Sequence, residues 1–98
     1  MDREYALEQV RSYKREVMSI VSDAKVFLYG SYSRNAAHKD SDIDVAVIVP
    51  KLNGKWLELS SALWLATLKV NTDIEPVLME EGNPSPLYED IMHNGIAI

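Results

Sequence analysis

The sequence predicts an α/β fold: a small mixed β-sheet packed by helices, in a single domain over residues 1–98. Three observations predict it. Three short runs rich in β-formers, 25–29, 41–49 and 73–79, are each bounded by turn residues. Apolar residues recur at helical spacing in 2–22 and 55–69, between and before those runs. Finally, 98 residues with 47% hydrophobic and 26% charged content are ordinary for one globular domain with one modest core.

The elements follow in order. In 2–22, Ala6, Val10, Tyr13, Val17, Ile20 and Val21 form an apolar stripe, with Asp2 as N-cap. Arg3, Glu8, Arg11, Lys14 and Arg15 lie outside it and read as a solvated face. Ser22-Asp23-Ala24 is a turn, and Lys25–Tyr29 a first strand. A short helical turn is expected over 31–37. Pro50 and the Lys51–Gly54 turn end the second strand. In 55–69, Leu59, Ala62, Leu63, Ala66 and Leu68 fit a core stripe, broadened by Trp56 and Trp64. Core packing is the ordinary fate of such residues, and docking a partner the alternative for any part left exposed. Pro76 cannot donate a ladder hydrogen bond, which places 73–79 at a sheet edge or a bulge. Ser85 and Pro86 suit the cap and first position of a short helix over about 86–93. Gly95 is its stop, and Ile96-Ala97-Ile98 a short final strand.

The chemistry concentrates between the first two strands. Gly30 permits a sharp turn and close backbone approach to a ligand. Ser31 follows where free N–H groups favour a phosphate. Arg34, about one turn on, reaches either a phosphate oxygen or a neighbouring carboxylate. Asp42 and Asp44 are two apart in a strand and so share a face with Ala46 and Ile48, while Ile43, Val45, Val47 and Val49 take the other. Two aspartates entering an apolar strand are costly to bury without charge compensation. Beside a phosphate-binding turn, they are what a divalent metal and a nucleoside triphosphate require. On the third strand Asp73 and Glu75 also share a face, and either can supply a third acid. In the connection, Lys39 is a secondary phosphate candidate. His38 and Asp40 read as solvated loop residues.

Gly30-Ser31, a short spacer, then Asp42-Ile43-Asp44 and a third acid on a later strand resemble the motif of the polymerase-beta-like nucleotidyltransferases. The size is similar to that of the minimal nucleotidyltransferase (MNT) domains, whose MntA-type antitoxin members are encoded beside HEPN-domain toxins. The resemblance implies the nucleotidyltransferase fold, with the site at one sheet edge. It also implies transfer of AMP from ATP to a hydroxyl. Asp42, Asp44 and Glu75 then serve as catalytic acids holding one or two Mg2+ ions, and Gly30, Ser31 and Arg34 bind the nucleotide. Glu75 is preferred to Asp73 because the family's third acid is flanked by apolar residues, as Glu75 is by Ile74 and Pro76. The implied acceptor is a partner protein of HEPN type, with this chain as the antitoxin of a toxin–antitoxin pair. The alternatives are a non-catalytic binding module of the same fold, and an enzyme acting on a small molecule or an RNA end. One departure from the pattern is Asn35, where many relatives carry glycine. Asparagine tolerates left-handed backbone angles better than most residues.

Composition narrows the field. The absence of cysteine excludes a disulfide framework and thiolate chemistry and fits a cytoplasmic protein. The charged N-terminus lacks a signal core, and no apolar run approaches the ~18 residues of a membrane span. A net charge of −5 disfavours general binding to nucleic acid, although metal ions can still bridge an acidic site to a nucleotide.

Overall fold

Residues 45–49 are apolar on both faces because the strand they form is covered on both faces. The computed structural model describes residues 3–33 and 42–98. Its elements run α1 (Arg3–Ile20), β1 (Lys25–Tyr29), β2 (Ile43–Val49), α2 (Trp56–Thr67), β3 (Ile74–Glu80), α3 (Pro86–Asn94) and β4 (Ile96–Ala97). The sheet order is β3-β2-β1-β4, with β2 antiparallel to β1 and parallel to β3, and β4 antiparallel to β1. The sheet is therefore mixed, and β3, which carries Pro76, is an edge strand as expected. The expected N-cap Asp2 lies outside the described residues, as does 34–41 of the loop between β1 and β2. Residues 31–33, the described start of the expected helical turn, are in a turn.

Strand parity sorts the two layers. Val26, Leu28, Ile43, Val45, Val47, Val49, Ile74 and Leu78 face the main core, with Ala6, Val10, Tyr13 and Val17 of α1 and Leu63 and Ala66 of α2. The α1 stripe is the one the 3–4 spacing predicts. The Tyr13 hydroxyl donates to the Leu63 carbonyl at 2.7 Å, tying α1 to α2, and burial pushes its pKa well above the usual phenol range. On the opposite face Ala46, Ile48, Met79, Phe27, Tyr29 and Val77 pack with Ile91 and Tyr88 of α3. The Ser85 side chain accepts from the Tyr88 N–H at 3.2 Å and Pro86 takes the first turn, so α3 begins where sequence chemistry places it. It ends at Gly95, whose backbone is extended, not left-handed (φ −71°). The need for glycine there is room: a Cβ would sit 2.5 Å from the Ile91 carbonyl oxygen.

Two expectations fail in detail. Leu68 does not join the α2 core stripe; it is exposed, with Trp56, Leu57, Trp64 and Leu65. An apolar residue on every side of a helix carries no period to tell the inward face from the outward one. In addition, the acidic motif is not at a lateral sheet edge. It opens β2, which has a neighbour on each side.

Candidate functional site

The candidate site forms at one end of the sheet, where β1 finishes and the parallel strands β2 and β3 begin. Register brings it together. Asp44 pairs with Tyr29 across the antiparallel side and with Glu75 across the parallel side. Asp42 immediately precedes β2 and, by parity, shares the face of Asp44. This is the α3 face, where Ala46, Ile48 and Met79 are buried with Ile91 of α3.

Burial and hydrogen bonding lead the electrostatics of the site, and like charges add to them. The Glu75 carboxyl shares a hydrogen bond with Asp42, which raises its pKa, and desolvation and the charges of Asp42 and Asp44 raise it further. Asp44 is half-buried, and its pKa is raised by that burial and then by the charge of Asp42. Tyr29 is pushed up to about 12, by burial first and then by Asp44 and Glu75. Three carboxyl groups thus influence one another, and two hold their protons more tightly than in water.

The β1–β2 turn is fixed from three sides. Gly30 adopts φ +74°, and a Cβ there would overlap the Asp44 carboxylate. Glycine at position 30 therefore serves both the turn and the packing of the carboxylate against bare backbone. The Ser33 hydroxyl donates to the Gly30 carbonyl at 2.9 Å. From α1, Arg3 donates to the carbonyls of Tyr32 (Nε, 3.3 Å) and Ser33 (Nη2, 2.8 Å). Tyr32 itself is buried in the main core. Ser31 is partly exposed in this turn.

Of the predicted site residues, Gly30, Ser31, Asp42, Asp44 and Glu75 belong to this end of the sheet. Arg34, with Asn35, His38, Lys39 and Asp40, lies outside the described residues. Asp73 takes a different part: its carbonyl accepts from the Ile43 N–H at 2.9 Å, and its own N–H donates to Asn71 Oδ1 at 2.8 Å. The register pairs Glu75, not Asp73, with Asp44. Sequence reasoning missed Tyr29, Arg3, Tyr32 and Ser33. The first could have been found by counting strand parity backwards from Gly30. For Arg3 and Tyr32 no local signal exists, because their contacts span about thirty residues.

Three carboxylates offer oxygen donors only, the set a hard divalent cation prefers. Among the described residues, no three carboxylate, histidine or cysteine side chains are already closed around a single point. The fit is thus one of donor chemistry and shared face. A separate groove of about 400 Å³, lined by Leu7, Arg11, Lys14, Arg15 and Ile96–Ile98, lies between α1 and β4 and holds none of these acids. No helix among the described residues is long and apolar enough to cross a membrane.

Comparison with known proteins bears on the family and the fold. The family model described as "Nucleotidyltransferase domain" matches residues 10–88, which include all five described candidates. A Methanocaldococcus jannaschii protein named "Putative protein adenylyltransferase MJ0141" is 22% identical over 99 residues, covering 94% of this chain and 97% of its own. Among solved structures, a "putative nucleotidyltransferase from Sulfolobus solfataricus" matches with a TM-score of 0.70 at 16% identity, over 97% of this chain and 80% of that one. A second, described as a toxin-antitoxin with AMP-PNP, matches with a TM-score of 0.58 at 22% identity, over 88% and 69%. At these identities the structural matches speak for the fold.

Proposed function

The chain belongs to the nucleotidyltransferase domain family, and we propose that it transfers AMP from ATP to a hydroxyl on a partner protein, a toxin of HEPN type, and so acts as the antitoxin of the pair. The observation that carries the reaction is the meeting of Asp42, Asp44 and Glu75 beside the Gly30 turn. The acceptor is supported by the curated relative named for protein adenylylation and by the toxin-antitoxin structural relative.

In this reading Asp42, Asp44 and Glu75 hold one or two magnesium ions. When bound, magnesium neutralises triphosphate charge and stabilises the attacking and leaving oxygens of an in-line displacement. The chain's residues do the rest. The Gly30–Ser31 backbone receives the β- and γ-phosphates, and Arg34 adds a cation. Asp44 lies between Tyr29 and Glu75 in the sheet register. Glu75 is exposed beside Asp44, where its carboxylate takes the proton of the attacking hydroxyl, as the third acid does in related enzymes. The hydroxyl oxygen bonds to the α-phosphorus, the bond to the β-phosphate oxygen breaks, and pyrophosphate leaves.

The test is transfer of label from α-labelled ATP to the purified partner, with magnesium, followed by mass spectrometry of the modified residue. Labelled tyrosine on the partner, lost with Asp44→Asn, supports the proposal. Label on a small alcohol or an RNA 3′ end in preference to protein would replace the acceptor. Neutralisation of the toxin without any label would make the chain a binding module.

A further inference from the structure

The groove between α1 and β4 joins positive charge, an open sheet edge and an aliphatic floor, none of which the proposed reaction uses. Leu7, Arg11, Lys14 and Arg15 line it from α1. At about 100° per residue they occupy one sector of the helix, beside the buried stripe of Ala6, Val10, Tyr13 and Val17. Three of the chain's ten cations thus gather in one groove of a protein whose net charge is −5. Among the described residues, no side-chain carboxylate pairs with any of the three. Glu4, Glu8 and Glu16, the acids of α1, do not line the groove. Lys14 donates to the Ile98 carbonyl at 2.7 Å, and Arg15 to Ser12 Oγ of its own helix at 3.4 Å. Arg11 and Arg15 are exposed.

The sheet edge is open because β4 ends the strand order. The Ile98 N–H donates to the Val26 carbonyl at 2.9 Å. Antiparallel alternation then turns the N–H and C=O of the exposed Ala97 away from β1, toward the free side. The floor of the groove is Leu7, Ile96 and Ile98, each partly buried against the main core. From Leu7 to Arg15 the helix rises about 12 Å, the length of about four extended residues.

We propose that this groove binds an extended acidic segment of a partner protein, which adds a strand to the β4 edge and sets its carboxylates against Arg11 and Arg15. Each feature answers to one part of such a segment. The free N–H and C=O of Ala97 pair with its main chain, as an exposed edge takes up a peptide. Side chains on one face of a strand recur about every 7 Å, close to the one-turn separation of Arg11 and Arg15, about 6 Å along α1. Two carboxylates on that face therefore meet two guanidinium groups, and an aliphatic side chain on the same face meets the floor. Nucleic acid fits less well. No aromatic side chain lines the groove for a base to stack on, and a net charge of −5 opposes a long phosphate chain. Ile96 and Ile98 pack on the main-core face of the sheet, whereas Asp42 and Asp44 lie on the α3 face, so a filled groove leaves the candidate site open.

An NMR titration of the isotope-labelled chain tests this, with the end-blocked peptide Glu-Thr-Glu-Thr-Val-Thr-Glu-Thr-Glu as the probe. Its sequence reads the same in both directions and so suits either strand polarity. The amide of Ala97 and those of Leu7 to Arg15 should shift together as peptide is added. Arg11→Glu/Arg15→Glu, at two exposed positions, should bind at least about tenfold more weakly with unchanged circular dichroism. A peptide with lysine in place of every glutamate should bind wild type at least about tenfold more weakly than the acidic one, and the double variant should reverse that preference. No shift at millimolar peptide overturns the proposal. Equal binding of the acidic and lysine peptides overturns it too, as does a response on α1 with none at Ala97, which is charge attraction without an added strand. Shifts of the same residues at lower concentrations of a single-stranded oligonucleotide than of the acidic peptide would also overturn it and give the groove to nucleic acid.

Discussion

At residue scale, the closest dependence in the site is between Gly30 and Asp44. Gly30→Ala meets two obstacles, a left-handed φ and the Asp44 carboxylate. The backbone cost alone is about 1–2 kcal/mol. Thermal denaturation should show that loss, and ATP binding should weaken because the carboxylate must move. A second prediction follows from charge crowding. The folded-state pKa values of Asp44 and Glu75 are raised, so their protonated forms are favoured by folding. That contribution is full below their unfolded pKa values and is lost as pH rises through the folded ones. Without divalent metal, Asp44→Asn should therefore be more stable than wild type at neutral pH. The difference should vanish at about pH 3, where the carboxyls are protonated in both states. Urea denaturation at the two pH values measures it, and equal stability at both would contradict the cost of burying this charge beside Asp42. Tyr13→Phe should cost about 1 kcal/mol, because the hydroxyl bond to the Leu63 carbonyl is buried. Chemical denaturation checks that value.

At the scale of elements, β2 was the most legible piece. Alternation alone assigned Asp42 and Asp44 to one face and Ile43, Val45, Val47 and Val49 to the other, and the two packed layers follow that division. The α1 stripe, the Ser85-Pro86 start of α3 and the final strand were equally readable, since each rests on local periodicity or capping. The outward face of α2 was not, because its sequence is apolar on all sides and only the packing of Leu63 and Ala66 decides which side is inside. Nor was Arg3 legible: a cation outside an apolar stripe reads as solvated, and only the fold brings it to the carbonyls of Tyr32 and Ser33. Arg3→Ala should loosen the Gly30–Ser33 turn, with about fivefold weaker ATP binding if roughly 1 kcal/mol of hydrogen bonding is lost. Calorimetry checks this, and unchanged affinity would make the contact purely structural.

For the whole molecule, sheet order makes the site. Placing β2 between β1 and β3 brings a turn, two aspartates and a glutamate from three stretches of chain to one end of one sheet. The choice between Asp73 and Glu75 could not be read from spacing, since both have the same parity. The parallel register of β3 against β2 sets Glu75, and not Asp73, beside Asp44. In the proposed reaction these acids form a metal–triphosphate site. Calorimetric titration of ATP into wild type and Asp42→Asn/Asp44→Asn, each with and without magnesium, tests it most directly. Wild type should bind in a magnesium-dependent way and the double variant at least about 100-fold more weakly, as loss of several kcal/mol of charge compensation requires. Equal binding by both proteins, or wild-type binding indifferent to magnesium, would contradict it.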